Sequence, residues 1–180
     1  MRKIIYYVAT SLDGFIAGPG GDISGFVAGG DGVEQYLNDL KEFDTVIMGK
    51  HTYEFGYQYG LVPGQPAYPH MKHYIFSESI KLEDCHPNVK VVLYDIGIVK
   101  QLKEEEGTDI YLCGGGIFAS WLLDNDLIDI LKIKLNPFIQ GQGVSLFSDS
   151  NRKVQLKLQE YTNYDDGLQI LTYEINNSIS

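Results

Sequence analysis

Residues that could do chemistry gather at a few glycine-marked junctions. Gly114, Gly115 and Gly116 follow the short apolar run Asp109–Cys113, and Ile117, Phe118, Trp121, Leu122 and Leu123 then recur at helical spacing. The piece reads strand, turn, helix. Without side chains, such a turn lets a ligand approach the backbone, and the first turn of the new helix offers it unpaired N–H groups in a field that favours negative charge. That is a cradle for a phosphate or pyrophosphate. A tight turn with no ligand accounts for the same three glycines. A second junction, Gly49 followed by Lys50, His51 and Thr52, puts a cation and a hydroxyl in a first helical turn. A lysine there opposes the helix dipole, and a bound anion would explain it. Thr10–Gly14 leaves the first strand, and Ser77 closes a later one.

The elements that must position these residues alternate. Lys3–Ala9 is a nearly continuous β-rich apolar run and reads as a central strand buried on both faces. Residues 18–32 hold seven glycines and one proline, a loop of the kind that serves as a mobile lid. Val33–Phe43 has the spacing of an amphipathic helix. Thr45–Met48 is a strand, and the helix opened by Lys50 runs towards Tyr59. Lys72–Ser77 and Val89–Leu93 are strands, and Gly97–Glu106 is a charged surface helix that Gly107 stops. The pattern then changes. Leu131–Asn136 alternates with period two, and Val154–Tyr164 and Leu168–Glu174 alternate again around the hairpin signal Asp165-Asp166-Gly167. Strand and helix alternate through the first two-thirds, which predicts a parallel sheet, and the last third adds antiparallel strands. Residues 1–180 show no repeat or linker and read as a single domain. In open α/β sheets ligands bind outside the carboxyl ends of the strands, and every junction named above lies at such an end.

Composition narrows the function classes. The 180 residues are 44% hydrophobic and 21% charged, as in a globular chain with a core. A net charge of −10 argues against nucleic acid and acidic membranes as partners. No apolar run reaches the length of a membrane span, and a cytoplasmic location is the default expectation. Cys85 and Cys113 give no disulfide framework, and Cys113 reads as a buried thiol. His70 with His73, and Cys85 with His86, do not make a metal set.

Three segments together resemble the dihydrofolate reductase fold, and more closely the reductase domain of the bifunctional riboflavin-biosynthesis deaminase–reductase and its stand-alone relatives. They are VATSLDGFIAG, DTVIMGKHTYE and IYLCGGGIFASWLLDNDLIDILKIKLNPFIQGQGVSLF. The resemblance implies a three-layer α/β/α fold whose central sheet is mostly parallel with antiparallel C-terminal strands. It implies a reductase of a small heterocycle resembling 5-amino-6-(5-phosphoribosylamino)uracil, with NADPH as hydride donor. A homodimer is expected from the same relatives. Carried over by motif, Ala9 and Ile16 border the nicotinamide. Gly49, Lys50, His51 and Thr52 form the opening helix turn beside the phosphates, with Thr52 on the pyrophosphate. Ser77 lies near the adenosine 2′-phosphate, and Gly114, Gly115, Gly116 and Ile117 cradle the pyrophosphate. Lys50 replaces an arginine and lacks its bidentate fork. Glu78 would repel a 2′-phosphate, which keeps NADH open as the cofactor.

A reduced substrate also needs a proton. In dihydrofolate reductases an acid on the first helix binds the pterin, and Asp31 and Glu34 fall near that place here. Glu34 and Asp13 are the candidate catalytic acids. For Glu34 the competing role is a dipole-stabilising surface residue, and for Asp13 a turn cap. Lys132, Lys134 and Asn136 share a strand face and read as solvated, although Lys134 or Asn136 could reach a substrate phosphate. Dihydrofolate reduction and a non-catalytic nucleotide- or flavin-binding role are the alternative functions.

Overall fold

A computed structural model describes residues 1–148 and 150–176. Its centre is one eight-stranded sheet, in the order β5 (Val89–Val92), β4 (Lys72–Phe76), β3 (Thr45–Gly49), β6 (Ile110–Gly114), β1 (Ile4–Thr10), β7 (Ile130–Leu135), β10 (Gln169–Asn176), β9 (Gln155–Asn163). From β5 to β7 every neighbouring pair is parallel, and β10 and β9 are antiparallel additions. The expectation of a parallel sheet with antiparallel C-terminal strands is met, except that β7 joins the parallel part despite its alternating sequence. A small second sheet pairs β2 (Phe15–Ala17) with β8 (Val144–Ser145).

Alternation along each strand builds a core on both faces. Ile4 and Tyr6 of β1, Ile110 and Leu112 of β6 and Ile47 of β3 pack against α3 (Ile96–Glu104) and α4 (Gly116–Asp124). Tyr7, Tyr111, Val46, Met48 and Ile75 pack on the other face, against α1 (Asp31–Asp39) and α2 (Lys50–Phe55). This is the three-layer α/β/α architecture. Both α1 and α2 end in short 3-10 turns, 40–42 and 56–59. Helix α3 starts one residue before the expected point because Asp95 caps it, accepting from the Gly97 N–H at 2.7 Å. Gly107 does not stop that helix, which ends at Glu104. Gly107 is needed instead for space: a Cβ there would fall on the Arg2–Asp44 ion pair.

That pair belongs to a seal at the amino ends of the strands. Arg2 is buried and also donates to the Thr108 carbonyl, while Asp129 accepts from the Ile4 N–H at 2.7 Å and from Lys103 Nζ at 2.6 Å. The carboxyl ends carry glycines and turns. The loop expected to be mobile over residues 18–32 gives way to α1 at Asp31 and is tethered before it: Phe26 meets Phe138 edge-on at 5.1 Å, and the Val27 N–H donates to Asn136 Oδ1 at 2.9 Å.

His73 is a second internal brace. It is fully buried on β4, donates from Nδ1 to the Met71 carbonyl at 3.1 Å and accepts the Tyr68 N–H at Nε2, also at 3.1 Å. Burial pushes its pKa down to about 4. The unfolded chain therefore binds this proton at a higher pH than the folded one. The contribution of neutral His73 to stability is complete above about pH 6.5 and is lost as pH falls towards 4. Urea unfolding across that window will show stability declining on acidification in the wild type. The decline will be smaller in His73→Gln.

Candidate active site at the strand ends

Parallel pairing of β6 between β1 and β3 brings the sequence-marked junctions to one edge. The decisive contact is between the two glycine turns: a Cβ on Gly115 would stand 3.0 Å from Thr52 Oγ1, and one on Gly114 would stand 3.6 Å from it. Gly114 has φ +129°, a conformation that side chains resist. Gly49 caps α2 and Gly115 caps α4, and neither helix has a side-chain cap. The first turn of the nine-residue α4 thus presents N–H groups with no capping side chain, next to the Thr52 hydroxyl. Ile117, in that turn, is 54% exposed.

The three glycines are not equivalent. At Gly116 a Cβ would lie 2.2 Å from Ser148 Oγ and 2.3 Å from the Ser145 carbonyl oxygen. The segment after β8 therefore rests directly on the start of α4, and Leu146 and Tyr6 continue the contact through a 3.2 Å hydrogen bond from the tyrosine hydroxyl to the Leu146 carbonyl. Gly116 is required by packing, and Gly114 by backbone conformation. Gly115 leaves the face towards Thr52 bare.

Lys50 reaches across to the turn after β4. Its Nζ donates to Ser79 Oγ at 3.2 Å and stands 3.9 Å from Glu54. Ser77 is buried, and its hydroxyl oxygen accepts the N–H groups of Ser79 and Ile80 at 3.1 and 2.9 Å. That hydroxyl shapes the turn and keeps its own proton to donate. Glu78 beside it is exposed, as is His51, which turns towards solvent with Nδ1 3.9 Å from Glu54. Ala9 near the end of β1 and Ile16 in β2 are both half-buried.

Of the two acids named from sequence, Asp13 is held by hydrogen bonds and Glu34 lies exposed. Asp13 accepts from Ser11 Oγ at 2.6 Å and from the Gln140 and Gly141 N–H groups at 2.9 and 2.8 Å. The Ser11 hydrogen bond, followed by these backbone donors, holds its carboxyl down at about 2. A carboxylate so held clamps the β1–β2 turn to the segment after β7, the turn-cap role of the two that the sequence offers for it. Glu34 is exposed in the first turn of α1, about 200° around the helix from Tyr36 two residues later. Because Tyr36 faces the sheet, Glu34 faces away from it.

Sequence reasoning missed the groups that do line the α1 face. Asp39 accepts from Lys132 Nζ and Gln35 Nε2, both at 2.7 Å, and from the Tyr7 hydroxyl at 3.0 Å. Burial raises its pKa, and these three bonds together outweigh burial and leave it below the ordinary range. Tyr36 and Tyr111 share a 2.8 Å hydroxyl–hydroxyl hydrogen bond. Cys113, half-buried rather than enclosed, has its sulfur 3.6 Å from the Tyr68 hydroxyl, and burial raises its pKa. Lys134 and Asn136 are not solvated: they are 8% and 0% exposed. The signal available in sequence was their place on a strand following an apolar helix, which buries both faces.

The comparisons bear on the family and the fold. The RibD C-terminal domain family matches residues 2–170. The uncharacterized protein YwjB of Bacillus subtilis (strain 168) is 30% identical over 175 residues, which cover 94% of this chain and 96% of YwjB. Among solved structures, a putative riboflavin biosynthesis protein from Shewanella sp. PV-4 superposes with TM-score 0.81 at 22% identity, covering 98% of this chain and all of the other. The Thermotoga maritima diaminohydroxyphosphoribosylaminopyrimidine deaminase/5-amino-6-(5-phosphoribosylamino)uracil reductase gives 0.68 at 19%, covering 97% of this chain and 57% of that one. Enterococcus faecalis dihydrofolate reductase, complexed with NADP(H), gives 0.67 at 15%, with 97% of each chain covered. The fold is that of the dihydrofolate reductases.

Gly116→Ala tests the packing at the start of α4. Its added methyl meets Ser148 and the Ser145 backbone, and overpacking of this kind costs about 1–3 kcal/mol. Urea denaturation will register that loss. Gly29→Ala, where no atom lies within 4 Å of the new Cβ, serves as the neutral control.

Proposed function

The chain belongs to the RibD C-terminal domain family, and from that premise we propose that it is an NADPH-dependent reductase of a small heterocyclic compound. The observation that carries the reading is the meeting of Gly115 and Thr52 at the carboxyl edge of a parallel sheet, beside a helix start with no side-chain cap. A dinucleotide diphosphate fits that cradle by chemistry: bare amides and one hydroxyl, in a place that a Cβ on Gly115 would narrow.

In this reading Gly114–Ile117 and Thr52 hold the diphosphate, with Gly49, Lys50 and His51 forming the turn around Thr52. Ala9 and Ile16 border the nicotinamide. When bound, that ring supplies the hydride. The chain's own part is to align, to exclude water and to fix the loops at this edge of the sheet, which Asp13 and Asn136 do through the backbone groups they hold. Lys50, Ser77 and Ser79 gather at one end of the site and favour a 2′-phosphate, hence NADPH. Exposed Glu78 in the same turn favours NADH as the second reading. The reduced substrate resembles 5-amino-6-(5-phosphoribosylamino)uracil, the compound named for the Thermotoga relative. Dihydrofolate reduction is less well supported, since no acid of α1 is free on the face turned to the sheet. A nucleotide-binding protein without turnover is the remaining alternative.

Titration with NADPH will quench or shift Trp121 fluorescence and raise the melting temperature, by about 2.7 kcal/mol of stabilisation at a hundredfold excess over Kd. Lys50→Ala will weaken NADPH about tenfold and NADH less, because a charge-assisted contact to phosphate is lost. Absence of any cofactor response would end the reductase reading. Binding without oxidation across aminopyrimidines, pterins, quinones and flavins would favour the non-catalytic alternative.

We further propose a homodimer built on the edge of the sheet. Every residue of β9 is exposed, including Leu156, Leu158 and Tyr161, and an open edge strand with apolar side chains invites pairing with a second copy. Sedimentation will show a dimer in the wild type, shifted to monomer by Leu158→Lys with Tyr161→Lys.

A further inference from the structure

Two lysines of β7 stand over two tyrosines, and their partners differ. Lys132 Nζ lies 4.7 Å from the Tyr7 ring centre and is paired with Asp39. Lys134 Nζ lies 4.6 Å from the Tyr36 ring centre, and no acid or hydrogen-bond acceptor among the described residues meets it. Lys134 is 8% exposed. None of the fully enclosed side-chain nitrogen or oxygen atoms of the described residues lacks a hydrogen-bond partner. The unpartnered Nζ therefore reaches accessible space although the rest of the side chain is covered. In register, Lys134 pairs with Ala9 on β1 and with Ile170 on β10.

An ammonium at the end of a largely covered side chain, with an aromatic face but no counter-ion, is costly. The charges and titratable groups around it do not neutralise it. Lys132 on its own strand and Asp39 on α1 are occupied with each other, and Tyr36 on α1 and Tyr111 on β6 are joined by their hydroxyls. Tyr7 on β1 donates to Asp39, Cys113 on β6 meets Tyr68, and Tyr164 ends the cluster at the hairpin. Burial lowers the pKa of Lys134, as expected for a cation that lacks an acid.

We propose that Lys134 is the substrate-anchoring cation of this site and that it receives an anionic or strongly polarised oxygen of the heterocycle, a ring carbonyl or its enolate. The proposal rests on the reductase reading only in placing Ala9 beside the cofactor; the unpaired cation stands without it. It inverts the charge logic of a pterin site, in which a carboxylate receives a basic ring. Here a cation and a tyrosine ring select an acidic one.

Calorimetric titration of wild type, Lys134→Met and Lys134→Arg with sodium barbiturate and with 2,4-diaminopyrimidine, each with and without NADPH, tests this. Barbiturate binds the wild type, weakens about tenfold or more in Lys134→Met and is largely retained in Lys134→Arg, while diaminopyrimidine is not bound better by any of them. Barbiturate affinity in the wild type falls as pH rises and Lys134 loses its proton. Equal barbiturate binding by wild type and Lys134→Met, no binding by the wild type, or preference for the diaminopyrimidine overturns the proposal. Loss of NADPH binding with barbiturate binding still dependent on Lys134 overturns the reductase reading alone. If Lys134→Met does not fold, carbon-13 lysine spectra decide. The ε-carbon signal missing from Lys134→Arg must move when barbiturate is added to the wild type, and an unmoved signal overturns the proposal.

Discussion

The parallel insertion of β6 between β1 and β3 is the constraint on which the site depends. Parallel pairing sends the carboxyl ends of these strands to one edge, so turns far apart in sequence must meet there. Thr52 and Gly115 come within contact by this register, before any ligand is considered. The helices that follow β3 and β6 then begin side by side, and each begins on a glycine. An antiparallel β6 would put Gly114–Gly116 at the other end of the sheet and leave no cradle.

The two ends of the strands are finished in opposite ways. Ion pairs and carboxylate–backbone bonds close the amino end, through Arg2 with Asp44 and Lys103 with Asp129. In each pair the cation is covered and the acid partly exposed, so losing the acid would leave a covered charge without its partner. The carboxyl end has Asp13 and Asn136 instead, each holding backbone N–H groups of a neighbouring loop. These two residues shape the mouth of the site without spending a side chain on closing it. The Ser145–Ser148 segment completes the rim by resting on Gly116.

Much of this was legible from the residues. Strand–glycine–helix junctions, period-two strands at the C-terminus and the placement of Lys50 and Thr52 followed from local pattern, because turn chemistry and periodicity are local. What was not legible depends on tertiary register. Lys134 and Asn136 looked solvated because their strand alternates polar with apolar, yet α1 and the glycine loop cover the polar face. Glu34 looked suitable by sequence distance, but helix phase turns it away while Tyr36 and Asp39 face the sheet. Gly107 looked like a helix stop, and its reason lies in Arg2 and Asp44, distant in the chain. Asp13 carried two open roles, and the hydrogen bonds from residues 140 and 141, which show the clamp, come from a segment distant in the chain.

The Asn136 side chain has one consequence for how such a scaffold can diversify. Its amide holds the Thr10 and Lys134 carbonyls with Nδ2 and the Val27 N–H with Oδ1, so one residue ties the first strand, the seventh and the glycine loop into a single hub. At position 27 the anchor is a backbone amide that any residue except proline supplies, while Gly25 and Phe26 beside it are held by their fit against Phe138. The side chain at position 27 can therefore be rewritten while the hydrogen bond that aims the loop stays in place.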